Sequence, residues 1–453
     1  MKKHTIDLTT GPITKKLITF AFPLLVSNML QVLYQAADNA VVGQFAGKVP
    51  LAAVGATGSA TNLILNIILG LAIGANIVNA NLRGSKNEKD LRKSLHTTVA
   101  ISVVGGVLFS VIGQIVCRPL LVAMNCPDNV IDLSVLYMRI IFCGTPGTMI
   151  YNFGAGILRT YGDSKRPMVI MAVSGVINVV LNLVFVICFK MTVDGVALAT
   201  IISKYVAAIW VVIILFNPKD EYKLRFGEIK LHARETINII KVGIPCGINS
   251  TVFSLSNVIV SAGINAFGDT VIAGGVASNN ITTILYSVIG SFYSACVSFV
   301  GQCYGAGKYK RIDGVFGRSC GISAICILAA SVVITIRPDW FISIFNTDPE
   351  VIAMGTPKLI IISWSYVLYS ISEVTIGCLR GMKKSAVPTI INILTICVSR
   401  VLWVYLIAPL NATNPILLYW CYPTSYILST IALLWYYVIC RKAINRKAAL
   451  QNA

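Results

Sequence analysis

The sequence predicts an all-α polytopic membrane protein, with twelve transmembrane helices in two pseudo-symmetric six-helix lobes. Three observations carry this. Of 453 residues, 56% are hydrophobic and only 12% charged, about half the charged share of a soluble domain. The apolar residues gather in twelve blocks, each long enough to cross about 30 Å of hydrocarbon at roughly 1.5 Å per residue. The second half of the chain also repeats the first at a fixed offset.

The blocks run approximately over 17–45, 51–80, 94–117, 130–156, 167–189, 195–216, 237–267, 271–303, 315–336, 352–378, 386–410 and 415–440. Such lengths exclude an outer-membrane barrel, whose strands alternate over about 10 residues. The opening MKKHTIDLTTGPITKK is basic and lacks a small-residue cleavage site, so the first block reads as a true span. The 13 Cys are scattered with no metal-like spacing; they read as small buried hydrophobes.

A net charge of +19 raises nucleic acid as a partner, but the distribution argues for topology. Basic residues crowd alternate loops: Lys2 to Lys16, Arg83 to Lys93, Arg159 to Arg166, Lys219 to Lys241, Lys308 to Arg318, Arg380 to Lys384 and Arg441 to Lys447. The other loops carry only Lys48, Arg118, Lys190, Arg337 and Lys358, and Arg139, Lys204 and Arg400 fall inside spans. Positive loops face the cytoplasm, so both termini are expected there, in a bacterial inner (plasma) membrane.

The repeat is read from GILRTYGDSKRP, Gly156 to Pro167, which recurs as GCLRGMKKSAVP, Gly377 to Pro388, an offset of 221. The same offset carries Asn28 to Asn249, Gly47 to Gly268 and Gly84 to Gly305. Six spans per repeat give both lobes one orientation. The expected organisation is a first lobe over 1–216, a cytoplasmic linker over 217–236 and a second lobe over 237–453. Two equivalent bundles suit an alternating-access carrier.

Within the first span, Asn28, Gln31, Gln35 and Asp38 are spaced 3, 4 and 3 apart and form one helical stripe. A carboxylate in a membrane helix costs about 2.5–3.5 kcal/mol on insertion scales and faces a bundle interior or a wet cavity. The stripe, with Tyr34 beside it, therefore predicts a polar path ending at Asp38. Span 7 has its own stripe, Ser250, Ser254, Asn257 and Ser261. Glu373 is the one carboxylate placed within an apolar run of the second lobe, with Arg380 or Arg400 as its expected ionic partner. Tyr286, Tyr366 and Tyr369 offer ring faces to an organic cation, or simply pack.

No GxSxG, HExxH or Walker loop is present, so neither an enzyme nor a nucleotide-driven pump is expected. His4, His96 and His232 are expected at or near the cytoplasmic surface, far from any shared site. No resident metal or cofactor is implied.

The motifs YQAADNAVVGQFAG, LAAVGATGSATNLILNIILGLAIGAN, RGSKNEKDLRKS, GILRTYGDSKRP, GVINVVLNLVFVI, DGVALATIIS, GQCYGAGKYKR and GCLRGMKKSAVP, in this order, resemble the MATE (multidrug and toxic compound extrusion) transporters over essentially the whole chain. The resemblance implies a two-lobe monomeric exporter that exchanges an organic, often cationic or amphipathic, solute for H⁺ or Na⁺. It implies that Asp38, Asn178, Asn182 and Thr200 form a cation- or proton-binding cluster. Asn28, Gln31, Tyr34, Gln35, Asn257 and Glu373 are then candidates for the substrate cleft.

Departures from the family pattern favour H⁺. The position of Asn182 is commonly a second acid, and one carboxylate among neutral oxygens is a poor cage for a hard cation. Tyr369 and Phe253 stand where a Na⁺-coupled branch tends to have acids. Lys204, one turn past Thr200, can stand where a cation would sit. A flippase for a lipid-linked precursor, from the related two-lobe superfamily, is the alternative; it would favour a strongly basic central cavity.

Overall fold

The computed structural model describes residues 5–124, 126–217, 221–222, 224–411 and 414–452. Lys2, Lys3, His4, Lys219 and Lys223 lie outside the described residues, as do the side chains of Arg446 and Lys447. Among the described residues there are helices and no strands. Eleven helices are long and apolar enough to span a bilayer, and a bent pair makes a twelfth.

In chain order these are α1 Ile13–Ala46, α2 Val49–Gly84, α3 Glu88–Ala123, α4 Asp128–Cys143 with Thr145–Thr160, α5 Lys165–Cys188 and α6 Val193–Leu215. They continue as α7 Ala233–Asn265, α8 Asp269–Gly305, α9 Tyr309–Ile336, α10 Pro349–Gly381, α11 Ala386–Leu410 and α12 Pro415–Asn445. The starts are set by familiar caps. Asn87 Oδ1 accepts from the Asp90 amide at 3.2 Å before α3, and Asn414 Oδ1 from the Ile416 amide at 2.9 Å before α12.

The expected single span 130–156 is two half-helices meeting at 43°. Pro146 sits in the first turn of the second half, where its missing N–H costs nothing. Thr145 Oγ1 donates to Phe142 O at 2.6 Å across the break. On α3, Val103, Val107, Val111 and Ile115 are exposed at four-residue intervals, while Leu91, Leu95 and Ala100 are buried. Such a face finds its solvent in lipid rather than water.

The chain divides into two compact units. One comprises Met1–Asp7 and Val26–Gly247, the other Leu8–Leu25 and Ile248–Ala453. In the first, α2 meets the start of α7 through two facing Gly-x-x-x-Gly patterns, Gly70/Gly74 and Gly243/Gly247. A Cβ on Gly70 would come within 2.2 Å of the Gly247 amide nitrogen, so backbone touches backbone.

Duplication is written into the backbone as well as the sequence. Positive-φ residues recur at the offset of 221: Gly47 (98°) with Gly268 (92°), Lys86 (56°) with Gly307 (69°), and Gly162 (77°) with Lys383 (61°). Each closes a helix in a conformation that glycine adopts freely and lysine only at a cost. Turn geometry has outlasted residue identity.

The segment after α6 straps onto α3. Arg92 holds Glu228 with both ends of its guanidinium, one bond being 2.7 Å. The Arg225 amide donates to His96 Nε2 at 3.1 Å, and the His232 amide to Thr97 Oγ1 at 3.3 Å. His96, expected near the surface, is buried, because the strap covers it.

In the second unit a core of Val260, Ile281, Leu285, Ile327, Ile362 and Ile396 continues into a tyrosine-rich cluster. Lys358, counted above among loop residues, is buried within α10 and donates to Gly275 O at 3.1 Å. Apolar neighbours on both sides hide such a lysine in a one-dimensional reading.

Candidate functional site

A cavity of about 450 Å³ lies in the first unit, walled by α1, α2, α4, α5 and α6. Helix α1 contributes Gln31, Tyr34, Gln35 and Asp38, which share one face because their spacing matches the helical repeat. Helix α6 contributes Thr200 and Lys204, and α5 contributes Ser174, Gly175 and Asn178.

Asp38 ties the three helices together. Asn182 Nδ2 donates to Asp38 Oδ1 at 2.5 Å, and Thr200 Oγ1 donates to Asp38 Oδ2 at 3.3 Å. Asn182 Nδ2 also reaches Asn178 Oδ1, and Asn178 Nδ2 reaches Thr200 Oγ1, both at 3.4 Å. Asn182 Oδ1 is buried and meets no donor among the described residues. A carboxylate, two amides and a hydroxyl are thus joined in one hydrogen-bonded cluster, with a single amide oxygen left without a donor among the described residues.

Lys204 lines the same cavity, yet no ion pair within 4.0 Å among the described residues involves Asp38. Acid and ammonium face one cavity without touching. Tyr34 is fixed by its hydroxyl, which donates to Met171 O at 2.5 Å. Its ring lies against α5 where a Cβ on Gly175 would fall 1.6 Å from Cζ, so only glycine admits the ring there.

The remaining candidates are elsewhere. Asn28 is not among the residues lining this cavity. Asn257 and Glu373 belong to the second unit. Arg400 is not the buried partner of Glu373: its Nη1 donates to Asn257 Oδ1 at 2.8 Å and its Nε to Ser425 Oγ at 3.1 Å. No ion pair within 4.0 Å joins Glu373 to Arg380 or Arg400 among the described residues, although the Arg380 charge is close enough to act on Glu373. Arg380 donates instead to the Tyr293 hydroxyl at 2.6 Å. Tyr286 and Tyr369 stack on Phe253 rather than facing this cavity, with ring centroids 6.5 and 6.0 Å away.

Thr57, Thr61, Asn62, Tyr137, Thr148 and Asn152 also line the cavity, and sequence reasoning missed them. Their signal was present: Thr57/Thr61 and Thr148/Asn152 are polar pairs four apart inside apolar blocks.

The family model MatE matches twice, over residues 23–184 and again over 245–406. The chain is 27% identical to the probable multidrug resistance protein YoeA of Bacillus subtilis, covering 94% of each chain. It is 25% identical to the probable multidrug resistance protein NorM of Thermotoga maritima, covering 86% of this chain and 84% of the relative. Its fold is also that of a solved outward-facing multidrug resistance MATE transporter of the MOP superfamily, with a TM-score of 0.88 at 20% identity, covering 97% of this chain and 98% of the other. With two copies of the family domain spanning most of its length, this chain belongs to the MATE family of membrane transporters.

Proposed function

We propose that the protein is a secondary antiporter exporting cationic or amphipathic organic compounds in exchange for protons. It works as a monomer in the bacterial plasma membrane with both termini cytoplasmic. The observation that carries this reading is the single carboxylate of the cavity, Asp38, bonded to neutral groups and facing an unattached Lys204.

Ionised, Asp38 accepts from Asn182 and Thr200 and attracts a cationic solute into the cavity. Protonated, it loses an acceptor site and its charge, so the ties from α1 to α5 and α6 weaken and the solute is released. An ion drives such a change only through its differential affinity for the two arrangements; here that difference is the charge on one oxygen pair. Lys204 supplies a neutralising ammonium when the solute has gone. A Na⁺ cage is supported less, because the cluster offers one carboxylate where a hard cation takes several oxygens with charge among them.

The test is a pair of efflux assays in proteoliposomes, one with only a pH gradient and one with only a Na⁺ gradient. A cationic dye should move under the pH gradient alone. Movement under the Na⁺ gradient alone overturns proton coupling.

A further inference from the structure

The charges around the strap do not cancel. A cavity of about 660 Å³ lies in the first unit between the start of α3 and the strap, with Tyr161 of α4 in its wall. The wall carries Lys89, Arg92, Lys93 and Lys230 against Glu88, Glu221 and Glu228. Each acid is already held: Glu88 and Glu221 by Arg83, at 3.4 and 3.0 Å, and Glu228 by Arg92. The lysines are not. No ion pair within 4.0 Å among the described residues involves Lys89, Lys93 or Lys230.

Backbone geometry brings the three lysines to one cavity. Lys89 and Lys93 are one turn apart on α3 and so are neighbours on its surface. The strap brings Lys230 to the same place, because Thr97, one turn beyond Lys93, donates from Oγ1 to Lys230 O at 3.3 Å. All three lysines are exposed, and like charges so close repel unless an anion joins them. The rest of α3 indicates what that anion is attached to. Val104 and Val111 stand about three and five turns from Lys93 on its own side of the helix. Both are exposed, as is Val107 between them. Lys93 is thus about 16 Å along the axis from Val104, a charge at the end of a lipid-facing stripe. The strap also turns Phe226 and Leu231 outward, the second beside Lys230. Lysines bordered by exposed apolar groups fit a membrane surface, where phosphate meets the charges and acyl chains meet the stripe. A soluble anion would meet the lysines alone.

We propose that Lys89, Lys93 and Lys230 bind the phosphate of an anionic phospholipid whose acyl chains lie along Val104, Val107 and Val111. The phosphate oxygens accept from the lysine ammonium groups, and the three glutamates stay on their guanidinium partners. The site is separate from the Asp38 cavity and stands whichever solute or ion the protein carries.

The experiment is native mass spectrometry of the purified full chain, titrated with dioleoyl-phosphatidylglycerol or dioleoyl-phosphatidylcholine, which share their chains and differ in net charge. A lysine beside an anionic headgroup is worth about fivefold in affinity. Phosphatidylglycerol should therefore half-saturate the chain at a concentration at least about tenfold below phosphatidylcholine. The combined change Lys89→Gln, Lys93→Gln and Lys230→Gln should abolish that preference. The combined change Lys15→Gln, Lys241→Gln and Lys384→Gln, which removes the same charge elsewhere, should keep it. Should the first combination fail to fold, each of its three single substitutions should raise half-saturating phosphatidylglycerol about fivefold. The proposal is overturned if the two lipids half-saturate alike, or if the preference survives these lysine substitutions. It is also overturned if equimolar sn-glycerol 3-phosphate displaces phosphatidylglycerol, since the site would then serve a free phosphate ester.

Discussion

The two units share a backbone plan and differ in what fills it. At the offset of 221, Thr148 and Leu65 of the cavity wall become Tyr369 and Tyr286, a buried ring and a part-exposed one that stack at 6.1 Å. Tyr137 becomes Lys358, Asp38 becomes Ile259, Thr200 becomes Cys421 and Lys204 becomes Ser425. One copy keeps an open polar cavity with an acid at its wall; the other fills the same region with aromatic rings and buried cations. Duplication supplied the scaffold, and a few inward-facing positions divided the labour. A family domain matched twice is therefore not a site present twice.

The largest break in that comparison is at the acid. Asp38→Asn keeps the shape and the possibility of hydrogen bonds to Asn182 and Thr200 but cannot cycle a proton. Dye efflux under a pH gradient should fall at least about tenfold, or about 1.4 kcal/mol of barrier. Full-rate efflux with intact pH dependence in that variant would remove Asp38 from the mechanism.

Emptying the filled copy comes next. Tyr369→Ala deletes a ring packed on Phe253, Tyr286, Tyr366 and Tyr426 and should cost about 3–5 kcal/mol, read as a lower Tm in detergent. Filling the empty copy is the converse. Thr148→Tyr places the second unit's residue in the cavity and should raise the KM for efflux about tenfold, about 1.4 kcal/mol of lost binding. An unchanged KM would mean that this cavity does not hold the solute. Gly175→Ala sets a methyl against the Tyr34 ring; displacing that ring should cost about 1–3 kcal/mol of stability, with Tyr34→Ala in the same chain recovering part of it.

The smallest effect is at the strap. The Arg92 guanidinium bonded to Glu228 holds that carboxyl below its ordinary range. A depressed carboxyl stabilises the attached form above its free value, and that contribution disappears as pH falls through the lowered one. Glu228→Gln should therefore raise trypsin cleavage between Arg225 and Lys230 at neutral pH, with little change on further acidification. An equal cleavage rate in the two chains would show the strap to be held by its backbone contacts alone.

Much of this was legible in the sequence. Twelve spans and a duplicated plan follow from block length and offset, because lipid demands helices of one length and repeats keep their turns. Asp38 was legible because an acid stands out against apolar neighbours, whereas Asn178, Asn182 and Thr200 were grouped with it through the family resemblance. What the linear chain hides is rotation about helix axes. Arg400 and Glu373 look like partners by sign and depth, yet their helices turn Arg400 toward Asn257, Ser425 and three rings. Lys358 passes for a loop residue because nothing in composition says that it faces inward. Asn28 falls outside the cavity wall although its spacing continues the stripe.

The strap also says where the two copies were joined. Glu221 bonds to Arg83 at the end of α2, and Arg225, Glu228 and His232 bond to His96, Arg92 and Thr97 of α3, so the connecting piece is already committed to the leading copy. A gene split just before Ala233 would leave the strap's bonds on the leading fragment, while Leu8–Leu25 and Ala233–Gly247 would each be encoded apart from the unit they pack in. Co-expressing the two fragments is thus a natural way to ask whether two polypeptides can do what one does.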